Sequence, residues 1–170
     1  MFFLKKNAEV TPMEGTGVNA SDKNAKNSGT ADEKRITDFQ LSINNCTAED
    51  TVFRGILKKH SAILTCSAEH EYYDLKKQKH ISESRILSRK KGGRAFLMQL
   101  RQLLDRAEIE KWDGFDGAAP KDVLDGSSMT FLAHGADGSE ISASGNNNFP
   151  KNYHTFESEL YKLAEKSGKK

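Results

Sequence analysis

The chain has little of what small scaffolds use in place of an apolar core: two cysteines, three prolines and one tryptophan in 170 residues. Two cysteines make no disulfide framework at this length, so Cys46 and Cys66 read as free thiols. No apolar run approaches the roughly 20 residues that cross a bilayer, which excludes a transmembrane helix. The opening "MFFLKK" places its charges after a very short apolar stretch, unlike a signal peptide, and the expectation is a cytoplasmic protein without a membrane partner. Motifs for cofactors and nucleophiles are missing too. There is no GxSxG, no phosphate-binding loop and no EF-hand spacing, and no cofactor is expected.

Residues 7 to 35 are built from Asn, Gly, Ser, Thr, Ala, Lys and acids, with Val10, Met13 and Val18 as the large apolar side chains. Ordering such a stretch costs about 1–2 kcal/mol per residue in backbone entropy, with no burial to offset it. The expected organisation is a disordered tail over residues 1–35 and one α+β domain over 36–168. Charge is unevenly distributed. Arg54 to Lys111 holds 14 Lys/Arg against 7 Asp/Glu, whereas Trp112 to Leu160 holds 2 against 8.

Period-two alternation in "ITDFQLSI" puts Thr37, Phe39, Leu41 and Ile43 on one face, which predicts a half-buried strand over 36–43. The Ile-, Leu- and Tyr-rich segment that follows predicts antiparallel strands at about 52–58 and 61–70. "HISESRIL", 80–87, is a further strand candidate, and "SRKKGGR", 88–94, reads as a loop because paired glycines interrupt regular structure. Phe96, Leu100, Leu103, Leu104 and Ala107 recur at helical spacing, predicting a helix over about 94–110. "DGFDGAAP" reads as a loop. Met129, Phe131 and Ala133, then Asp137-Gly138, then Ile141 and Ala143 predict a hairpin. Phe156, Leu160, Leu163 and Ala164 give the last helix its stripe. Between them, "GNNNFP" reads as a connection: Gly145 and the asparagines permit positive φ, Phe149 fills the gap between sheet and helix, and Pro150 suits a first helical turn. The predicted fold is α+β: an antiparallel sheet of about four to six strands with two amphipathic helices on one face, in the order β-β-β-(β)-α-β-β-α.

The second half carries a recurring pattern in Trp112, Gly114 and Phe115, Val123 to Gly126, Phe131, Asp137-Gly138, then Gly145, Asn147, Phe149 and Pro150. It resembles small uncharacterised bacterial α+β domains, over about the last 80 residues. The resemblance implies the α+β fold and no activity. Met129 departs from it, standing where the pattern has a large aromatic.

Three kinds of chemistry were weighed on these residues. His60, His70, His80, His134 and Cys66 invite a metal, but "CSAEH" is the one closely spaced pair, and a strand would hold Cys66 and His70 about 13 Å apart. Asp113, Asp116, Asp122 and Asp125 lie among glycines, where tight turns use the same residues. Lys76, Lys77, Lys79, Arg85, Arg89, Lys90, Lys91 and Arg94 form a basic segment that would grip phosphates, with Tyr72 and Tyr73 to stack on bases. The leading expectation is a noncatalytic protein-interaction module, inhibitor- or immunity-like, with a sheet face or the loop of Trp112, Asp113, Phe115, Asp116 and Asp125 turned to a protein partner. Nucleic-acid binding through 76–94 is the alternative, and a hydrolase comes third.

Overall fold

The computed structural model describes residues 35–46, 49–119, 121 and 126–165. The expected tail, apart from Arg35, lies outside the described residues, as do Asp122 and Asp125. The strands are β1 (Ile36–Asn44), β2 (Asp50–Leu57), β3 (Ala62–Asp74), β4 (Lys79–Gly92), β5 (Phe115–Gly117), β6 (Ser128–Gly135) and β7 (Glu140–Asn146). The helices are α1 (Arg94–Ala107) and α2 (Tyr153–Glu165), with a 3-10 turn at Ile109–Trp112.

All seven strands form one sheet in the order β4-β3-β2-β1-β6-β7-β5. β1 pairs with β2 and β6, and every neighbouring pair is antiparallel except β5 with β7. Alternation decides what each face does. Phe39, Leu41 and Ile43 are buried, and register carries that face across Phe53, Leu57, Leu64 and Cys66 to one side and Met129, Phe131, Ala133 and Ala143 to the other. These residues share one core cluster with Phe96, Leu97, Leu100, Leu103 and Leu104 of α1 and with Tyr153, Phe156, Leu160 and Ala164 of α2. Trp112 completes it. Its ring meets Phe131 at 5.2 Å and Phe156 at 5.5 Å, both edge-on, and its Nε1–H donates to the Lys151 carbonyl at 3.0 Å.

The fold class stands, and the strand count rises from the expected four to six to seven. The added strand is β5, in the segment read as a loop. Gly114 N–H donates to the Ser142 carbonyl (2.9 Å), Ser142 N–H to Asp113 Oδ1 (3.2 Å) and Ser144 Oγ to Asp116 Oδ1 (2.8 Å), which ties the segment along β7. The predicted loop at 88–94 is also corrected, since β4 continues to Gly92 opposite Ala62. Ala62 and Leu64 are buried, and their backbone groups need partners that Gly92 and Lys90 supply. α1 stops before the expected 110 because Glu108 is left-handed (φ 56°), its N–H returning to the Leu104 and Asp105 carbonyls.

Two close approaches explain sequence choices. Gly55 lies opposite Phe39, whose ring lies over it so closely that a Cβ would overlap ring carbons. Gly145 was expected to supply positive φ, but that role falls to Asn147 (φ 52°) and Asn152 (φ 66°). Gly145 instead leaves room for the Asn148 carbonyl and the Phe149 ring. Phe149 packs between β7 and α2, stacked on Tyr153 at 4.6 Å, but it is half-buried. In urea unfolding, Gly55→Ala is expected to lower stability by about 2 kcal/mol through overpacking against Phe39. Phe149→Ala is expected to cost about 1–2 kcal/mol, below the roughly 3–5 kcal/mol of a fully buried ring.

Candidate functional site

Four of the five residues singled out as a binding loop are described, and each makes contacts within the fold. Trp112 is 1% exposed and belongs to the core. Phe115 is half-buried against the same cluster, and Asp113 and Asp116 accept the bonds that anchor β5 to β7. Asp125 lies outside the described residues.

The basic segment is spread by alternation. Lys90 faces Leu64 and sits with its ammonium 4.8 Å above the Phe96 ring, on the core side of the sheet. Arg89 and Lys91, opposite Thr65 and Ile63, point to the other face. A bulge between Cys66 and Ser67 shifts the register, after which Arg85 and Lys79 fall on the core side, opposite Ala68 and Asp74. Lys76 and Lys77 lie in the turn, where Asp74 Oδ1 accepts both of their backbone N–H groups. Arg94 opens α1. The cations of β4 itself therefore divide between its two faces, with Lys76 and Lys77 in the turn and Arg94 at the start of α1. Tyr72 and Tyr73 likewise point to opposite faces, Tyr72 on Ile81 and Tyr73 on His80.

What the structure brings together instead is a two-stranded arm. β2 ends its pairing at Asp50 opposite Glu69, whereas β3 and β4 continue together from His70–Glu83 to Asp74–Lys79. A hairpin alone is marginal in water. This one is held by Tyr73 against His80 (5.1 Å, edge-on), His70 stacked on Tyr72 (5.2 Å) and Tyr72 Oη donating to Glu83 Oε1 (3.0 Å). That bond to Glu83 is also the main reason the Tyr72 hydroxyl titrates above its usual value. No residue of β4 is buried. Tyr73, Leu75, Ile86 and Leu87 are among the large apolar residues left exposed, Leu75 at 82%. Tyr73 belongs to the base-stacking expectation, whereas Leu75, Ile86 and Leu87 have no role in the sequence analysis. For Ile86 and Leu87 the signal was an adjacent Ile-Leu pair in a strand whose one other large apolar residue is Ile81.

At the root of the arm, the face away from the core carries a polar network. Arg54 Nη1 meets Glu69 Oε1 at 2.6 Å, and its Nε–H donates to Gln40 Oε1 at 3.0 Å. Ser67 Oγ lies 3.2 Å from the same Glu69 oxygen. The bond from Arg54 chiefly holds the Glu69 carboxyl below the usual range. Every member has a partner within the network. Burial raises the pKa of the Cys66 thiol and so disfavours its thiolate. Among the described residues no three His, Cys, Asp or Glu side chains converge on a metal site. No helix among them is long and apolar enough to cross a membrane.

His134 lies on the same face, between two carboxylates. Its Nδ1 lies 2.6 Å from Asp38 Oδ1 and its Nε2 3.7 Å from Glu140 Oε2. The hydrogen bond to Asp38 leads in raising its pKa above 6.5. A raised folded value means that the stabilisation is complete below the unfolded pKa and is lost as pH rises through the folded one. Asp38→Asn is therefore expected to lower stability at about pH 5.5, with the deficit shrinking by about pH 8. NMR titration of the mutant should show His134 moving down toward 6.5, its ordinary value.

Comparison of the chain with protein-family models, with curated proteins and with solved structures found no match.

Proposed function

We propose that the protein is a noncatalytic protein-interaction module, of the inhibitor or immunity-like kind, in the bacterial α+β family that its second half resembles. Both helices pack on one face of the sheet, and the partner is met by the β3–β4 arm. One observation carries this reading: of the seven large apolar residues exposed among those described, Tyr73, Leu75, Ile86 and Leu87 belong to this one hairpin. Tyr73 and Leu75 stand on the projecting part and Ile86 and Leu87 on β4 beside its root, and contact with a second protein would remove all four from water. The cations around them suit a partner of opposite charge and set the encounter rate. A nucleic acid is less well served, because the bases would need Tyr72 and Tyr73 on one face and the phosphates a continuous row of cations.

The arm is separable from the core, so the reading has a clean test. Leu75→Ser, Ile86→Ser and Leu87→Ser in one chain are expected to leave the melting temperature within a few degrees of the parent. In nuclease-treated lysate of the native cell, the parent should retain a protein by affinity capture that the triple variant loses. Equal retention by both, or retention of nucleic acid alone before nuclease treatment, would count against the arm as the binding surface.

A further inference from the structure

The two edges of the sheet are treated very differently. At one end β5 is three residues long, short enough to offer little to a passing strand. At the other, β4 runs for fourteen residues with no further strand beside it among those described. The phase of its hydrogen bonds follows from the β2–β3 turn, where Lys58 N–H donates to the Ser61 carbonyl at 2.8 Å. That bond makes Lys58–Ser61 a hydrogen-bonded pair, so odd residues of β3 face β2 and even residues face β4. Ser82 and Ser84, opposite Glu71 and Glu69, therefore turn their own N–H and C=O groups outward. So do Arg89 and Lys91 beyond the bulge.

Resting on the reading of the arm as the binding surface, we propose that the outer edge of β4 receives an extended acidic segment of a partner protein as an added strand. Three features select that occupant. The exposed edge supplies main-chain donors and acceptors in a row, which only another extended backbone satisfies. The cations border that row from both faces, with Lys76, Lys77 and Lys79 at the turn end and Arg85, Arg89, Lys90 and Lys91 at the other; a strand in the plane of the sheet meets both sets. Ile81, Ile86 and Leu87 lie between the two ends, so the matching segment is acidic at both ends and apolar in the middle.

A second copy of this chain is a poor occupant of the same edge. Antiparallel pairing of two β4 strands about Ser84 sets Lys79 against Arg89 at both ends and brings Lys77 of the turn toward Lys91, repulsions that the two Arg85–Glu83 pairs at the centre offset only in part, and in-register parallel pairing sets each cation beside its own copy. Lysine on an edge strand opposes self-association in this way and leaves an acidic strand free to add.

The test uses the full chain and a labelled peptide, Glu-Glu-Val-Thr-Val-Thr-Val-Glu-Glu, with Lys-Lys-Val-Thr-Val-Thr-Val-Lys-Lys as its charge-reversed control. The acidic peptide is expected to bind at least about tenfold more tightly than the control and to slow amide exchange at Ser82 and Ser84. Ser84→Pro removes an outward N–H and spares the ladder to β3, which edge strands tolerate. It should weaken acidic-peptide binding about tenfold with the melting temperature held, while Ser84→Ala leaves binding unchanged. If Ser84→Pro does not fold, Ser82→Pro is the equivalent variant. No binding of the acidic peptide overturns the proposal, as does binding without slowed exchange at Ser82 and Ser84, or a dimer of the free protein in which those amides are already protected. None of these results touches the capture experiment with the serine variant, so strand addition and arm binding fail separately.

Discussion

The structure depends on one meeting of rings. Phe156, on α2, lies 6.1 Å from both Phe39 of β1 and Phe131 of β6, and Trp112 stands edge-on to Phe131 and Phe156. β1 and β6 are far apart in the chain, and α2 comes later still. Their contact fixes which face of the central strands turns inward, and alternation passes that choice to the rest of the sheet. Trp112 reaches the junction because the left-handed Glu108 ends α1 and sends the chain into a 3-10 turn. Burial of the nearby Tyr153 hydroxyl, stacked under Phe149, keeps it from ionising in the ordinary range.

Where that apolar junction ends, the character of the sheet changes. β3 is buried as far as Ala68, and from Glu69 onward it is not. Beyond that point the strands are held by their ladder and by a few ring and side-chain contacts, so the arm is stable only to the extent that the sheet behind it is rigid. The polar network of Gln40, Arg54, Ser67 and Glu69 ties three strands together at this root. It is better understood as bracing for the arm than as a reactive centre.

Sequence reasoning reached what burial dictates. β1 was legible because Phe39, Leu41 and Ile43 alternate with polar residues, and both helices because their stripes are complete. β4 was legible only in part, since a strand wet on both faces carries no period and Gly92-Gly93 resembles a loop. β5 left no trace, because three residues are too few for a pattern and its anchors, Asp113 and Asp116, look like ordinary turn residues. The burial of Trp112 depends on a left-handed Glu108, a conformation that glycine announces and glutamate does not. The basic segment was visible as composition, but its division between two faces is a matter of register, which needs the position of the bulge.

The pairing of β1 with β6 has a consequence for how the chain acquires this shape. β2, β3 and β4 join through short turns and close locally, whereas Asp38 must find His134, 96 residues further on. Closing so long a loop is entropically slow, and contacts of this separation set the pace of sheet formation. The apolar side of the β1–β4 meander, Leu41 and Phe53 included, is therefore covered by elements that all follow it in the chain: α1, the β6–β7 hairpin and Phe156 of α2.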